Sequence, residues 1–161
     1  MGGEQQKVLV SAIGNPDCGD DGVGPLVGQK LEGRLPDGAA LILRRGGMLS
    51  LIDDWSGFDA MVCVDAAAPM GEPGRVLRID LSEGELPPGL SFTSSHGFGL
   101  AEAIGLARTL GVAPGHIVVY AVEGRCFDLG ATMTPEVFSA AGEVADRVAA
   151  EVQRLAGVSP L

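Results

Sequence analysis

The sequence predicts an α/β domain of three layers, in which a mostly parallel five-stranded sheet lies between helices and carries one antiparallel edge strand. Three observations support that expectation. Short apolar runs alternate along the chain with segments of helical periodicity, the order that builds a parallel sheet covered by helices. Met61, Val62, Cys63 and Val64 are consecutive and apolar, as in a strand buried on both faces. The first apolar run leads directly into a glycine-rich loop and then a helical pattern, and in open sheets of this class ligands bind beyond the carboxyl ends of the strands.

Taken in order, Val8 to Ile13 reads as a buried first strand, Gly14 to Pro25 as its loop, and Leu26 to Leu31 as a helical pattern. Ala40 to Leu43 is a short second strand, followed by Gly46-Gly47 and a short helix through Met48, Leu51 and Ile52. Asp59 to Asp65 is the third strand, and residues 66–74, with Pro69, Gly71, Pro73 and Gly74, form a turn. Val76 to Leu81 alternates as a fourth strand. Its short link to the third suggests a hairpin, hence the antiparallel edge. Ser82 to Ser95 is an irregular loop containing Pro87-Pro88. Gly99 to Leu110 is a helix with Leu100, Ala103, Ile104 and Ala107 on one face, and Ile117 to Val122 is the fifth strand. After a loop over Gly124 to Met133, Pro135 to Leu155 is a long terminal helix with Pro135 in its first turn. There is no repeat, linker or low-complexity tract, so residues 1–161 read as a single domain.

A chain of 161 residues can bury a real core, and with 46% hydrophobic but only 4% aromatic residues that core is aliphatic. The net charge of −10 disfavours nucleic acid or an anionic membrane as a partner, and Arg44-Arg45 is the only adjacent basic pair. Cys18, Cys63 and Cys126 form neither a CxxC nor an even framework, which points to a reducing, cytoplasmic compartment. Met1 to Lys7 is polar and lacks a signal-peptide core, and no apolar run has the ~18 residues of a membrane span.

The first loop places Asp20 and Asp21 at the mouth of a helix. One of them is expected to act as a helix cap, but only one cap is needed. Acid at this point favours a cation over a phosphate and argues against a nucleotide-binding α/β protein. Asp65 closes the third strand and is either a turn-former or a second acid at the same crevice. His96, in Thr93-Ser94-Ser95-His96-Gly97, stands at the entrance to the Gly99–Leu110 helix, again at the sheet's functional edge, whereas His116 reads as structural. Asp21, Asp65 and His96 together suit a borderline divalent metal with open positions, without selecting among zinc, nickel, manganese and iron. There is no Gly-x-Ser-x-Gly elbow, His-Glu-x-x-His or Walker lysine. Cys18 has no evident general base nearby in sequence, and Cys63 reads as a core residue.

The segments "GNPDCGDDGVGP", "VCVDAAAPMGEPG" and "SSHGFGLAEAI" resemble the hydrogenase maturation endopeptidases, and the resemblance runs from about Lys7 to Leu155. That family has a twisted five-stranded α/β sheet and trims the C-terminal extension from the large-subunit precursor of nickel-iron hydrogenases. By its motifs, the resemblance implies that Asp21, Asp65 and His96 contact nickel already held by the precursor, so that the metal signals completed loading. It leaves the hydrolytic group open. A carboxylate activating water would make an aspartyl protease, and the metal is the other candidate activator. Zinc or cadmium would serve as surrogates, and the isolated protein is expected to hold any of these ions weakly. A non-catalytic nickel-checking module would carry the same constellation. The chain departs from the family at Arg45, which precedes Gly46-Gly47 where an acid is usual.

Overall fold

The computed structural model describes residues 5–45, 48–82, 84–85, 87, 90 and 99–157. In chain order the elements are β1 (Val8–Ile13), a 3-10 turn (Gly19–Gly22), α1 (Val23–Leu31), β2 (Ala39–Arg44) and α2 (Met48–Asp54). They continue with β3 (Ala60–Ala67), β4 (Val76–Asp80), α3 (Leu100–Leu110), β5 (His116–Glu123) and α4 (Pro135–Ala156). The strands form one five-stranded sheet ordered β2-β1-β3-β5-β4, parallel except for β4.

Two apolar layers sandwich this sheet. Alternate residues of β3 supply both, which is why its sequence is continuously apolar. Val62, Val64 and Ala66 pack with Val23, Val27 and Leu31 of α1 and Val144, Val148 and Val152 of α4. Met61 and Cys63 pack on the other side with Leu51 and Ile52 of α2 and Leu100, Ala103, Ile104 and Ala107 of α3. The face predicted for α3 is therefore the buried one. Its first turn is tied by the Glu102 carboxylate, which accepts the Gly99 N–H at 3.0 Å. Among the described residues no helix is long and apolar enough to cross a membrane.

The expected hairpin between the third and fourth strands is not formed. β3 already has parallel neighbours on both edges, β1 and β5, so β4 pairs antiparallel with β5 instead. The turn that carries the chain past β5 is fastened to it. The Gly74 N–H donates to the Glu123 carbonyl at 2.7 Å, and the Glu123 carboxylate accepts the N–H groups of Met70 (2.8 Å) and Glu72 (2.6 Å). β3 also runs two residues past Asp65, so the acid sits inside the strand, opposite Ala121, and the turn starts only after Ala67.

His116 has the structural role expected of it: its Nε2 lies 3.2 Å from Asp80 Oδ2. Burial disfavours charge on Asp80, but the Ser82 hydroxyl and N–H and then His116 outweigh it and hold its pKa down at about 2. Arg78 joins this cluster to the buried Glu151 of α4 through a 2.7 Å Nε contact, and Tyr120 donates its hydroxyl to the same carboxylate at 2.8 Å. This network locks the edge strand β4 to β5 and α4.

Candidate active site

β1 sends its connection to β2 on one side, while β3 lies on its other side, and α1 and α2 cover opposite faces. The chain therefore reverses its winding between β1 and β3, the position at which such sheets open a crevice. The loop after β1 folds back over this opening. Gly14 is at φ +143°, and a Cβ there would lie 2.0 Å from the Asp21 carbonyl oxygen, so only glycine lets the loop close this tightly. The Asn15 N–H then donates to Asp21 Oδ2 at 2.8 Å, and the Asp21 N–H donates to the Cys18 carbonyl at 3.1 Å. Asp21 is half-buried in this turn.

Asp65 reaches the crevice from β3 and is only 3% exposed. Burial raises its pKa well above the ordinary carboxylate range, and the negative charge of Asp21 raises it further. The Ala66 N–H, donating to Oδ1 at 2.8 Å, partly opposes both effects. Asp21 and Asp65 are thus close enough for one charge to suppress the other. Among the described residues no group of three or more His, Cys, Asp or Glu side chains is placed to hold a metal. His96 lies outside the described residues, as do Gly46 and Gly47.

Neither member of the acidic pair caps α1. Its N-cap is Gly22, with no side-chain cap bond. Asp20 turns the other way and is fully buried. Its carboxylate accepts the N–H groups of Arg125 (2.7 Å), Cys126 (3.1 Å) and Thr134 (2.6 Å) and the Thr134 hydroxyl (2.6 Å). Burial opposes its charge, yet these bonds together hold its pKa below the ordinary value. The loop after β5 is thereby clamped to the loop after β1. Two backbone bonds complete the clamp, from the Asp20 N–H to the Cys126 carbonyl (2.9 Å) and from the Gly130 N–H to the Asp17 carbonyl (2.7 Å).

Sequence reasoning missed two acids at this edge. Asp20 was paired with Asp21 only as a rival cap. Glu123 ends a parallel strand just as Asp65 was expected to, so the same positional cue was available, but its carboxylate is spent on the β3–β4 turn. Arg45 pairs with the exposed Asp17 and donates to Asn15 Oδ1 at 3.1 Å, so it fastens the outer end of the first loop. Cys63 is a core residue, its thiol pushed up by burial and then by Asp65.

No family profile matches the chain, and no curated protein matches it by sequence. Solved structures do. The hydrogenase maturating endopeptidase HybD from E. coli aligns with a TM-score of 0.73 at 23% identity, over 92% of this chain and 93% of its own. An endopeptidase from Escherichia coli solved in solution aligns with a TM-score of 0.79 at 21% identity, over 94% of this chain and 95% of its own. The [NiFe] hydrogenase maturation protease HycI from Thermococcus kodakarensis KOD1 aligns with a TM-score of 0.71 at 22% identity, over 92% and 94%. The chain therefore has the fold of these proteins across nearly its whole length, antiparallel edge strand included.

Proposed function

We propose that this chain is a hydrogenase maturation endopeptidase that removes the C-terminal extension of a nickel-loaded large-subunit precursor. The observation that carries the reading is the placement of Asp21 and the buried Asp65 at the winding reversal, where burial and then the charge of Asp21 raise the Asp65 pKa. The likeness of fold to maturation proteases supports it.

The chemistry follows from that pair. A carboxyl that keeps its proton when isolated gives it up when a cation approaches, because the nearby positive charge inverts the electrostatics. Nickel carried by the substrate would thus draw the proton from Asp65 and be held by Asp65 and Asp21 together. His96, from its place in the sequence, is proposed as the third ligand. Hydrolysis then needs water to attack the scissile carbonyl while its proton passes to a base. With the cation in place Asp65 would be a carboxylate able to take up the proton as water attacks, and that proton would then pass to the leaving amine. Binding completes the arrangement only for a loaded substrate, so specificity and activation share one event.

The test compares nickel-loaded precursor, nickel-free precursor and a synthetic peptide spanning the scissile bond, read by mass spectrometry. Only the loaded precursor is expected to shorten. Comparable cleavage of all three would refute metal-gated recognition. Tight binding of loaded precursor without cleavage would favour the nickel-checking module. Cys18→Ser is expected to cleave at close to the wild-type rate, since the Cys18 backbone shapes the turn and no thiolate chemistry is invoked. Loss of turnover in the folded variant would move the mechanism to cysteine.

A further inference from the structure

The Asp21 carboxylate is held by a turn that begins at Asn15. That residue precedes Pro16, which steers Asn15 away from the helical region and presets the next φ. The Cys18 N–H closes the turn on the Asn15 carbonyl at 3.1 Å, and the Asp21 N–H closes a second one on the Cys18 carbonyl at 3.1 Å. The two turns bring the chain back on itself, so that the Asn15 N–H meets Asp21 Oδ2 at 2.8 Å. The Asn15 side chain sets the first turn. Its Oδ1 accepts the Asp17 N–H at 2.9 Å, the bond by which an asparagine mimics a backbone turn. Arg45 Nη2 donates to the same oxygen at 3.1 Å and pairs with the Asp17 carboxylate. Arg45 is itself well placed, because Arg44 ends β2 and its carbonyl accepts the Gly14 N–H at 2.8 Å. A line of bonds therefore runs from the end of β2 through Asn15 to Asp21.

We propose that Asn15 is a positioning residue for the Asp21 carboxylate and that Arg45 acts through it, a proposal that rests on the protease reading above. A carboxylate that must meet a substrate-borne cation works best with an oxygen already oriented, because partners behind a metal-contacting group fix its direction before binding. Stability alone does not account for the arrangement. The Arg45 and Asp17 side chains are 61% and 64% exposed, and such exposed pairs contribute little. Water can replace Oδ1 as the acceptor for the exposed Asp17 N–H and for Arg45. It cannot replace Oδ1 as the tie that keeps the turn in one shape and the Asn15 N–H aimed at Asp21.

The test uses Asn15→Ala, Asn15→Asp and Arg45→Ala. The readouts are cleavage of nickel-loaded precursor and amide hydrogen exchange at residue 15 of the isolated protein, corrected for each residue's intrinsic rate. Asn15→Ala keeps the backbone groups and removes Oδ1. It should lower kcat/KM by about 10–100-fold, as loss of a partner behind a metal-contacting group does. Exchange at residue 15 should quicken by about tenfold as the turn opens locally, with the melting temperature close to wild type. Asn15→Asp retains the acceptor and should restore both readouts. Arg45→Ala should lower kcat/KM less, because the Asp17 N–H still holds Oδ1, and should add little in the Asn15→Ala background. Wild-type kcat/KM or unchanged exchange in Asn15→Ala would overturn the proposal. So would an Asn15→Asp variant as impaired as Asn15→Ala, because the side-chain amide would then touch the substrate. An Arg45→Ala loss undiminished in the Asn15→Ala background would overturn it too, since Arg45 would then act directly. If the wild type cleaves nothing while exchange follows the expected pattern, the protease reading fails and the hold of Asn15 on Asp21 stands.

Discussion

Asp65→Asn is expected to raise the melting temperature of the isolated protein while lowering precursor cleavage by about 10²–10⁴-fold, the contribution of a positioned acid or base. The two effects share one cause. The Asp65 carboxyl is buried and faces the charge of Asp21, so its folded-state pKa lies above its unfolded value. Between those two values the folded state binds more protons than the unfolded state, and stability falls as pH rises through that window. Asparagine removes the ionisation and keeps an oxygen for the Ala66 N–H. The gain should be about 1 kcal/mol, in the range of relieved functional strain, or a shift of about 2–4 °C for a chain of this size. It should be largest above neutrality and vanish below the ordinary carboxylate range, where wild-type Asp65 is protonated in both states. Thermal melts at several pH values, beside cleavage assays, measure both. Asp21→Asn should lose cleavage to a similar extent. By removing the charge opposite Asp65, it should also bring that carboxyl's pKa down. A lower melting temperature for Asp65→Asn at every pH would mean that the carboxylate is instead satisfied in the folded protein.

The contrast between Asp21 and Asp20 shows how far the sequence could be read. Strand and helix periods located the elements to within about three residues at either end. The aliphatic run of β3 disclosed burial on both faces, because local patterning and tertiary environment agree there. β4 was correctly expected as an antiparallel edge but given the wrong neighbour. A short link favours a hairpin only where the adjoining edge is free, and β5, more than forty residues later in sequence, had taken that edge. The site divides in the same way. That Asp21 and Asp65 lie at one edge of the sheet was legible because the ends of parallel strands converge whatever the details of their loops. The motif singled out Asp21 of the pair, but the use of Asp20 was not legible, since its partners are more than a hundred residues away. Glu123 carried the same positional cue as Asp65 and has a different use, so the cue selects a location and leaves the role to local hydrogen bonding.

Asp20→Ala is expected to be the most destabilising single change in the loops, costing about 3–5 kcal/mol, because several hydrogen bonds to one buried charged group are lost together. The substitution leaves the buried Thr134 N–H and the part-buried N–H groups of Arg125 and Cys126 without their acceptor, and a fully buried orphan costs about 1–3 kcal/mol. Thr134→Val removes only the hydroxyl bond and should cost about 1 kcal/mol, while Thr134→Ser should be close to wild type because it keeps that donor. The pH dependence has the sign opposite to that of Asp65. The Asp20 pKa is depressed in the folded state, so its contribution is present above the unfolded value and is lost as pH falls through the folded one. Urea titrations of the three variants give the costs, and amide hydrogen exchange gives their location. Faster exchange in Asp20→Ala should begin at Arg125, Cys126 and Thr134 and extend through the loop they bound, while the β1–β3 core keeps its protection. Uniform loss of protection across the sheet, or a Thr134→Ser variant as unstable as Thr134→Val, would show that the clamp is not what holds the β5–α4 loop against the loop carrying Asp21.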